Sequence, residues 1–382
     1  MYLRSLRLTS FRAHERTTCE FGPSINLLYG PNGAGKTNVL EAIHYACLSK
    51  GFVTSSDRYI VRKGAGHAEV EALFDRTNRR EQRVRMAYVP GEGKRMFLNG
   101  APLDRISELI GQLPVVVYSP QDHALTSGGP AERRRFMDNL LSQASPLYLD
   151  TLLKFRRVLK QRNRLLSKLN EQKRLDASDV LASWDQQLVA HGSQIILARA
   201  RFVRQFTSFL DRAYQEIEAV AEKPTIVYDS IGRLGPDLSL DDVAAYFEEA
   251  LLESVHRERR REATLIGPHR DELVFRLNGM LVRRYASQGQ HRTFGMAMKL
   301  AKYFYLKDRT GEEPILLLDD VFDHLDHRRS RAFLELLQTD RIGQSIITAT
   351  DRRLFAEHVP FEVPDNQALL VDAGRICPAR IA

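Results

Sequence analysis

From Tyr2 to Phe11 apolar and polar positions alternate, the period of a half-buried strand, and the run Ile25 to Tyr29 that follows is apolar and stops at Gly30. Gly33 to Leu48 returns its apolar residues at helical spacing, whereas Glu69 to Asn99 reads as strands turned at Pro90-Gly91 and Asn99-Gly100. The pattern changes between about Pro130 and Glu222. Pro146 is the one internal proline there, and long helical periodicity is written in Leu, Arg, Lys and Gln. Strand patterns return after Arg257 to Glu262: Ile315 to Leu318 is a short apolar run, Ser345 to Thr350 is another, and His327 to Leu337 between them has helical spacing. All-apolar strands alternating with helices predict parallel strands covered on both faces. The fold class expected is therefore α/β, with residues 1–125 and 262–382 forming one split domain and residues 126–261 a mostly helical inserted lobe.

Composition narrows this picture. A chain of 382 residues with 43% hydrophobic and 27% charged residues is ordinary globular material. No apolar run approaches the roughly 18 residues of a membrane helix, and the start lacks a secretion signal, so a cytoplasmic protein without a membrane partner is expected. Cys19, Cys47 and Cys377 are too few and too scattered for a disulfide framework or a zinc site. The formal net charge is +8, and its distribution is uneven. Between Lys154 and Arg174 nine basic residues face the single acid Glu171, and the rest of the chain balances to zero. Concentrated on one helical element, this excess suits a polyanion, nucleic acid first. Arg156, Lys160, Arg164 and Lys168 share a face by their spacing and are the expected DNA contacts.

The chemistry starts at Gly30-Pro31-Asn32-Gly33-Ala34-Gly35-Lys36-Thr37, a full match to GxxxxGK[ST] set between an apolar strand and a helix. Such a loop turns backbone N–H groups onto phosphate oxygens at a helix N-terminus; Lys36 reaches the outer phosphates and the Thr37 hydroxyl binds magnesium. A magnesium nucleotide also needs a carboxylate at a neighbouring strand end. Asp319 and Asp320 supply it, Asp319 for the hydrated metal and Asp320 to polarise the attacking water. Lys36 and Asp319 stand 283 residues apart, a separation seen in ATPases of the ABC and SMC class, where an insertion divides one nucleotide fold. In that class a third motif should precede the acidic strand, and Ser287-Gln288-Gly289-Gln290 does so, with Gln290 lying 29 residues before Asp319. It resembles the signature that receives the outer phosphate of an ATP held by another subunit. One chain carries one loop and one signature, so a composite site needs two chains related by a two-fold axis. Gln121 is the expected metal- and water-sensing glutamine, Phe322 to Asp326 follows the acidic strand, and Thr350-Asp351 ends the last one.

Taken together, LRLTSFRAH, GPNGAGKTNVLEAIHYACLSKGF, GGPAERRRFMDNLLS, IGPHRDEL, YASQGQHRT and ILLLDDVFDHLD resemble the RecF family of bacterial recombination mediator ATPases, within the SMC/ABC class. The resemblance implies an ABC/SMC-type P-loop ATPase head with a helical lobe too short to be an SMC arm. It also implies slow ATP hydrolysis with Mg2+, an ATP-dependent homodimer, binding to duplex and gapped DNA, and association with RecR and RecO to place RecA. By the same resemblance Arg12 is matched to an adenine or α-phosphate contact. Gly51 departs from the family, where a serine is common at its position.

Overall fold

A computed structural model of the chain describes residues 1–54, 56–77, 80–171, 178–217, 222–232, 235, 238–322 and 327–378. In chain order its first elements are β1 (Tyr2–Phe11), β2 (His14–Glu20), β3 (Ile25–Tyr29), α1 (Lys36–Leu48), β4 (Ala68–Asp75), β5 (Glu81–Val89), β6 (Gly93–Leu98), β7 (Ala101–Pro102) and β8 (Val115–Tyr118). Next come α2 (His123–Ser127), α3 (Pro130–Ala144), α4 (Pro146–Glu171), α5 (Ser178–Ile217), β9 (Pro224–Asp229), α6 (Leu240–Arg261), β10 (Glu272–Leu277), β11 (Met280–Leu281) and α7 (Val282–Tyr285). The chain closes with α8 (Gln288–Thr310), β12 (Ile315–Leu318), α9 (His327–Leu337), β13 (Ser345–Ala349), α10 (Arg353–Ala356), β14 (Gln367–Asp372) and β15 (Arg375–Pro378).

Two compact units result. The first holds Met1–His123, Arg212–Val220 and Arg292–Ala382; the second holds Ala124–Asp211 and Ala221–His291. This division differs from the sequence expectation, which returned to the first domain at residue 262. Residues 262–291 cluster with the insertion because β10 zips onto β9 from Glu272↔Asp229 to Leu277↔Pro224, and 212–220 cluster with the first unit. The sequence reading missed β9. Its run Thr225-Ile226-Val227-Tyr228 is β-branched and aromatic, the composition that favours a pleated surface over a helix.

The first unit has two six-stranded sheets, ordered β2-β1-β4-β5-β6-β7 and β15-β14-β3-β13-β12-β8. The former is antiparallel, and the latter is parallel apart from the β14–β15 hairpin. Helix α1 packs against strands of both, which is why eleven of its thirteen residues are buried and no polar stripe marks it. In the parallel sheet β3 pairs with β13 (Tyr29↔Ala349), and β12 pairs with β13 (Leu318↔Ile347) and β8 (Leu318↔Tyr118). The carboxyl ends of all four strands therefore share one edge, the place where open α/β sheets bind ligands.

The second unit is held by buried charge as well as apolar packing. Arg199 is 2% exposed and bonds Asp138 at 2.7 Å, Asp271 at 3.0 Å and the Pro268 carbonyl at 2.6 Å. Arg133 makes a bidentate pair with Glu272, both contacts at 2.7 Å. GGPAERRRF and IGPHRDEL thus meet in the interior of this unit as structural partners.

Candidate functional site

Every feature of the phosphate loop follows from its glycines and from the sheet edge it leaves. Gly30 has φ 151° and a Cβ there would stand 2.1 Å from the Val371 carbonyl oxygen, so only glycine can pass β14 at this point. Gly33 and Gly35 also take positive φ, 80° and 107°, and Gly35 is the N-cap of α1. Lys36, 5% exposed, folds its ammonium back into the loop and donates to the carbonyls of Gly30 at 2.8 Å and Pro31 at 3.1 Å. Pro31, Asn32 and Gly33 form the exposed rim, and Ala34 is buried beneath them.

Beside the loop lies a cluster of two hydroxyls and two carboxylates. Thr37 Oγ1 donates to Asp319 Oδ1 at 2.8 Å. Thr348 Oγ1 accepts the Asp320 N–H at 2.9 Å, and its single proton is placed between Asp319 Oδ1 (2.9 Å) and Asp320 Oδ1 (3.2 Å). Burial pushes the Asp319 carboxyl above its ordinary pKa and the Asp320 charge adds to this, while the Thr37 and Thr348 hydroxyls and the Lys36 charge pull it back. Asp320 sits at φ 48°, a left-handed turn, and its carboxylate stays on the Thr348 hydroxyl that Asp319 also faces. Thr37 and Asp319 are adjacent hard oxygen donors, the donor set that suits a magnesium ion whose other ligands are phosphate oxygens and water.

The remaining predicted residues are placed as follows. Gln121 is exposed in a short turn after β8, on the same sheet edge as Asp319; its neighbour Asp122 is held by Lys299 at 2.7 Å and by the Ser119 N–H at 2.9 Å. Thr350 is exposed one residue past β13, next in line after the Gly30 N–H bond to Ala349 O. Arg12 directs its Nε onto the fully buried Glu41 carboxylate at 2.5 Å, and its Nη2 donates to Thr54 at 3.3 Å. That carboxylate also accounts for Gly51: a Cβ there would lie 2.5 Å from Glu41 Oε1, so serine does not fit without a shift.

In the second unit Ser287 and Gln290 form a reciprocal cap on α8, the Gln290 N–H donating to Ser287 Oγ at 3.2 Å and the Ser287 N–H to Gln290 Oε1 at 2.8 Å. The Gln290 amide also donates to Glu222 at 2.8 Å. Ser287 and Gln288 stay exposed, and Gly289 is half-buried. On α4, Arg156 is engaged with Asp138 at 2.8 Å, whereas Lys160, Arg164 and Lys168 are exposed and form no ion pair among the described residues. Asp323 to Asp326, Lys173 and Arg174 lie outside the described residues.

The sequence reading did not single out Thr348. The available signal was a pair of hydroxyls, Ser345 and Thr348, in a buried strand whose other residues are apolar, since a buried polar residue is the informative kind.

Comparison with known proteins agrees with this geometry. Residues 2–363 match the family described as RecF/RecN/SMC N terminal domain. A DNA replication and repair protein RecF from Salinibacter ruber is 52% identical over 374 residues, 98% of this chain and 91% of that protein. A solved structure of the recombination mediator protein RecF with ATP superimposes with TM-score 0.90 at 28% identity, over 99% of this chain and 97% of that one. An Smc head domain from Pyrococcus furiosus, at TM-score 0.57 and 14% identity over 99% of this chain and 96% of that one, shares the fold alone. Identity of this degree along almost the full length admits one assignment: the chain belongs to the RecF/RecN/SMC family, on its RecF branch, with that family's P-loop ATPase head and a mostly helical insertion.

Proposed function

We propose that this chain is an ATP-dependent DNA-binding protein of DNA repair and recombination. Two copies clasp ATP, the phosphate loop of one facing the Ser287 to Gln290 signature of the other, and slow hydrolysis releases them. The dimer holds duplex DNA beside single-strand gaps and acts with RecR and RecO in loading RecA. The carrying observation is the Thr37–Asp319–Thr348–Asp320 cluster next to Lys36, which joins a metal-binding pair, a carboxylate for water and a phosphate-binding cation. In support, the Salinibacter relative is named for DNA replication and repair, and the solved RecF structure is described within the RecFOR pathway.

Within the site each residue has a separate task. Backbone N–H groups of residues 33–37 and the Lys36 ammonium bind the phosphates, and Thr37 with Asp319 would hold a magnesium ion, which neutralises phosphate charge when bound. Asp320 accepts a proton from the attacking water. Gln121 orients that water, and Thr350 and Arg12 border the nucleotide. Sedimentation velocity with ATP and Mg2+, with and without gapped duplex, tests nucleotide, dimer and DNA together: a nucleotide-dependent dimer that co-sediments with the duplex is expected, and a monomer at saturating ATP refutes the reading.

The DNA surface gives a second expectation. Lys160, Arg164 and Lys168 recur along one side of α4 at phosphate-seeking positions, and Arg156 contributes less because Asp138 neutralises it. If six to ten phosphates are contacted, affinity falls about 10³- to 10⁵-fold between 50 and 200 mM salt. Fluorescence anisotropy across that range is the check, and a flat response removes the electrostatic part.

A further inference from the structure

Helix α6 divides its charge along its length. The charged residues of its first half are all acidic and exposed, Glu248, Glu249 and Glu253 being the last of them, whereas basic side chains gather from Arg257 to Arg261 at its C-terminal end. The acids nearest those arginines are turned inward. Glu258, fully buried, has Oε2 2.7 Å from Arg162 Nη1 and accepts the Leu265 N–H on Oε1 at 2.7 Å. Glu262 accepts the Ser167 hydroxyl at 2.8 Å, and Thr264 donates its N–H and its hydroxyl to Asn163 at 2.8 and 2.7 Å. These contacts lay the end of α6 and the turn after it along residues 162–167 of α4. Arg257 and Arg261, one helical turn apart, stay exposed, as does Arg270, whose Nη2 stands 3.4 Å from the Thr264 carbonyl oxygen. None of these three forms an ion pair among the described residues.

The joint borders the cationic row of α4. Asn163 and Ser167, which receive the end of α6, are i+3 neighbours of Lys160 and Arg164, and Arg261 is the i+3 neighbour of the inward-turned Glu258. Lys160, Arg164 and Lys168 recur every four residues, an advance of about 6 Å per step, and Arg257 and Arg261 repeat that step on α6. Packed helices keep their axes about 8–10 Å apart. Extended lysine and arginine side chains on two such rows can reach phosphates of both strands across a minor groove about 6 Å wide. A single strand offers one line of phosphates and leaves the other row unfilled. The acidic half of α6 repels phosphate and so limits the patch at that end. Basic residues in a last helical turn also complement the helix dipole. That role shows in thermal stability and leaves the salt dependence of binding unchanged.

We propose that α6 and the turn after it supply a second cationic row, Arg257, Arg261 and Arg270, which with the α4 row grips both strands of duplex DNA and makes this surface select duplex over single strand. This rests on the reading of the chain as a DNA-binding protein. The test is fluorescence anisotropy of the full chain with ATP and Mg2+, on a blunt duplex and on one of its strands, between 50 and 200 mM salt. A triple variant, Arg257→Gln, Arg261→Gln and Arg270→Gln, is compared with the triple in which the same three become lysine. In the glutamine triple the slope of log affinity against log salt for duplex flattens by about 2.7 per bound protomer, at about 0.9 for each lost phosphate contact, and duplex Kd at 100 mM salt rises roughly 10²-fold. Single-strand Kd stays within about threefold of wild type, and the lysine triple restores the duplex slope to within about one unit. An unchanged duplex slope in the glutamine triple overturns the proposal, as does a loss of equal size on duplex and single strand. Should that triple melt early, Arg270→Gln alone, outside the helix, carries the test with an expected flattening of about 0.9, and an unchanged slope there overturns the proposal. A wild-type chain that binds neither DNA takes the DNA-binding reading down together with this one; wild-type duplex binding that the glutamine variants do not weaken removes this one alone.

Discussion

Lys36→Arg is expected to leave the melting temperature unchanged and ATP bound within about tenfold of wild type, while turnover drops by about 10²- to 10³-fold, the scale of losing one transition-state donor. The Lys36 ammonium converges on a narrow position between the Gly30 and Pro31 carbonyls, at 2.8 and 3.1 Å, on a side chain only 5% exposed. A guanidinium is planar and wider and presents its donors as a fork, so charge is retained but the approach to a transferring phosphoryl group is lost. Nucleotide binding by fluorescence and phosphate release by a coupled assay separate the two effects. Undiminished release in this variant would contradict the assignment of the loop.

Asp320→Asn has the other large expected effect, a fall in turnover of about 10²- to 10⁴-fold, the usual contribution of a general base. The backbone should not object. Asp320 sits at φ 48°, and asparagine is among the few residues that visit this region readily. The N–H bond to Thr348 Oγ1 at 2.9 Å is a backbone contact and survives the change. What disappears is the negative charge that takes a proton from water. The ATP-bound dimer should then accumulate on gapped DNA, visible as a long-lived species in sedimentation. A trapped dimer that still supports recombinase loading makes the bound state the working state; an inert one makes the turnover cycle the working element. Turnover at the wild-type rate would remove Asp320 from its role.

Local pattern was enough for the parts of the site that are contiguous in the chain. The strand Ile25–Tyr29, the glycines after it and the helix from Lys36 are one segment whose backbone demands are written in residue type. Ile315–Leu318 ending in two carboxylates is another. The parts that escaped are those fixed by pairing between distant segments. Thr348 meets Asp319 only because β12 and β13 lie in parallel register, and one residue of slip would turn its hydroxyl to the other face. Arg156 looks like its neighbours on the α4 stripe, and its neutralisation by Asp138 depends on how α3 packs beside α4. The difference between the expected return at residue 262 and the compact units, which divide after His291, has the same origin. A change of pattern marks where an element begins, whereas its allegiance is set by the β9–β10 ladder.

The order of strands around β3 bears on how the protein is made. On the ribosome, the glycine-rich loop emerges long before β12, β13 and β14, and the Thr37–Asp319 contact spans 282 residues of chain. At 5–20 residues per second the interval is roughly 15 to 60 s, during which a nascent chain owns a phosphate loop with no carboxylate to complete it. Under the proposed function, products of translation interrupted before β12 lack the carboxylate and are expected to be silent toward ATP hydrolysis.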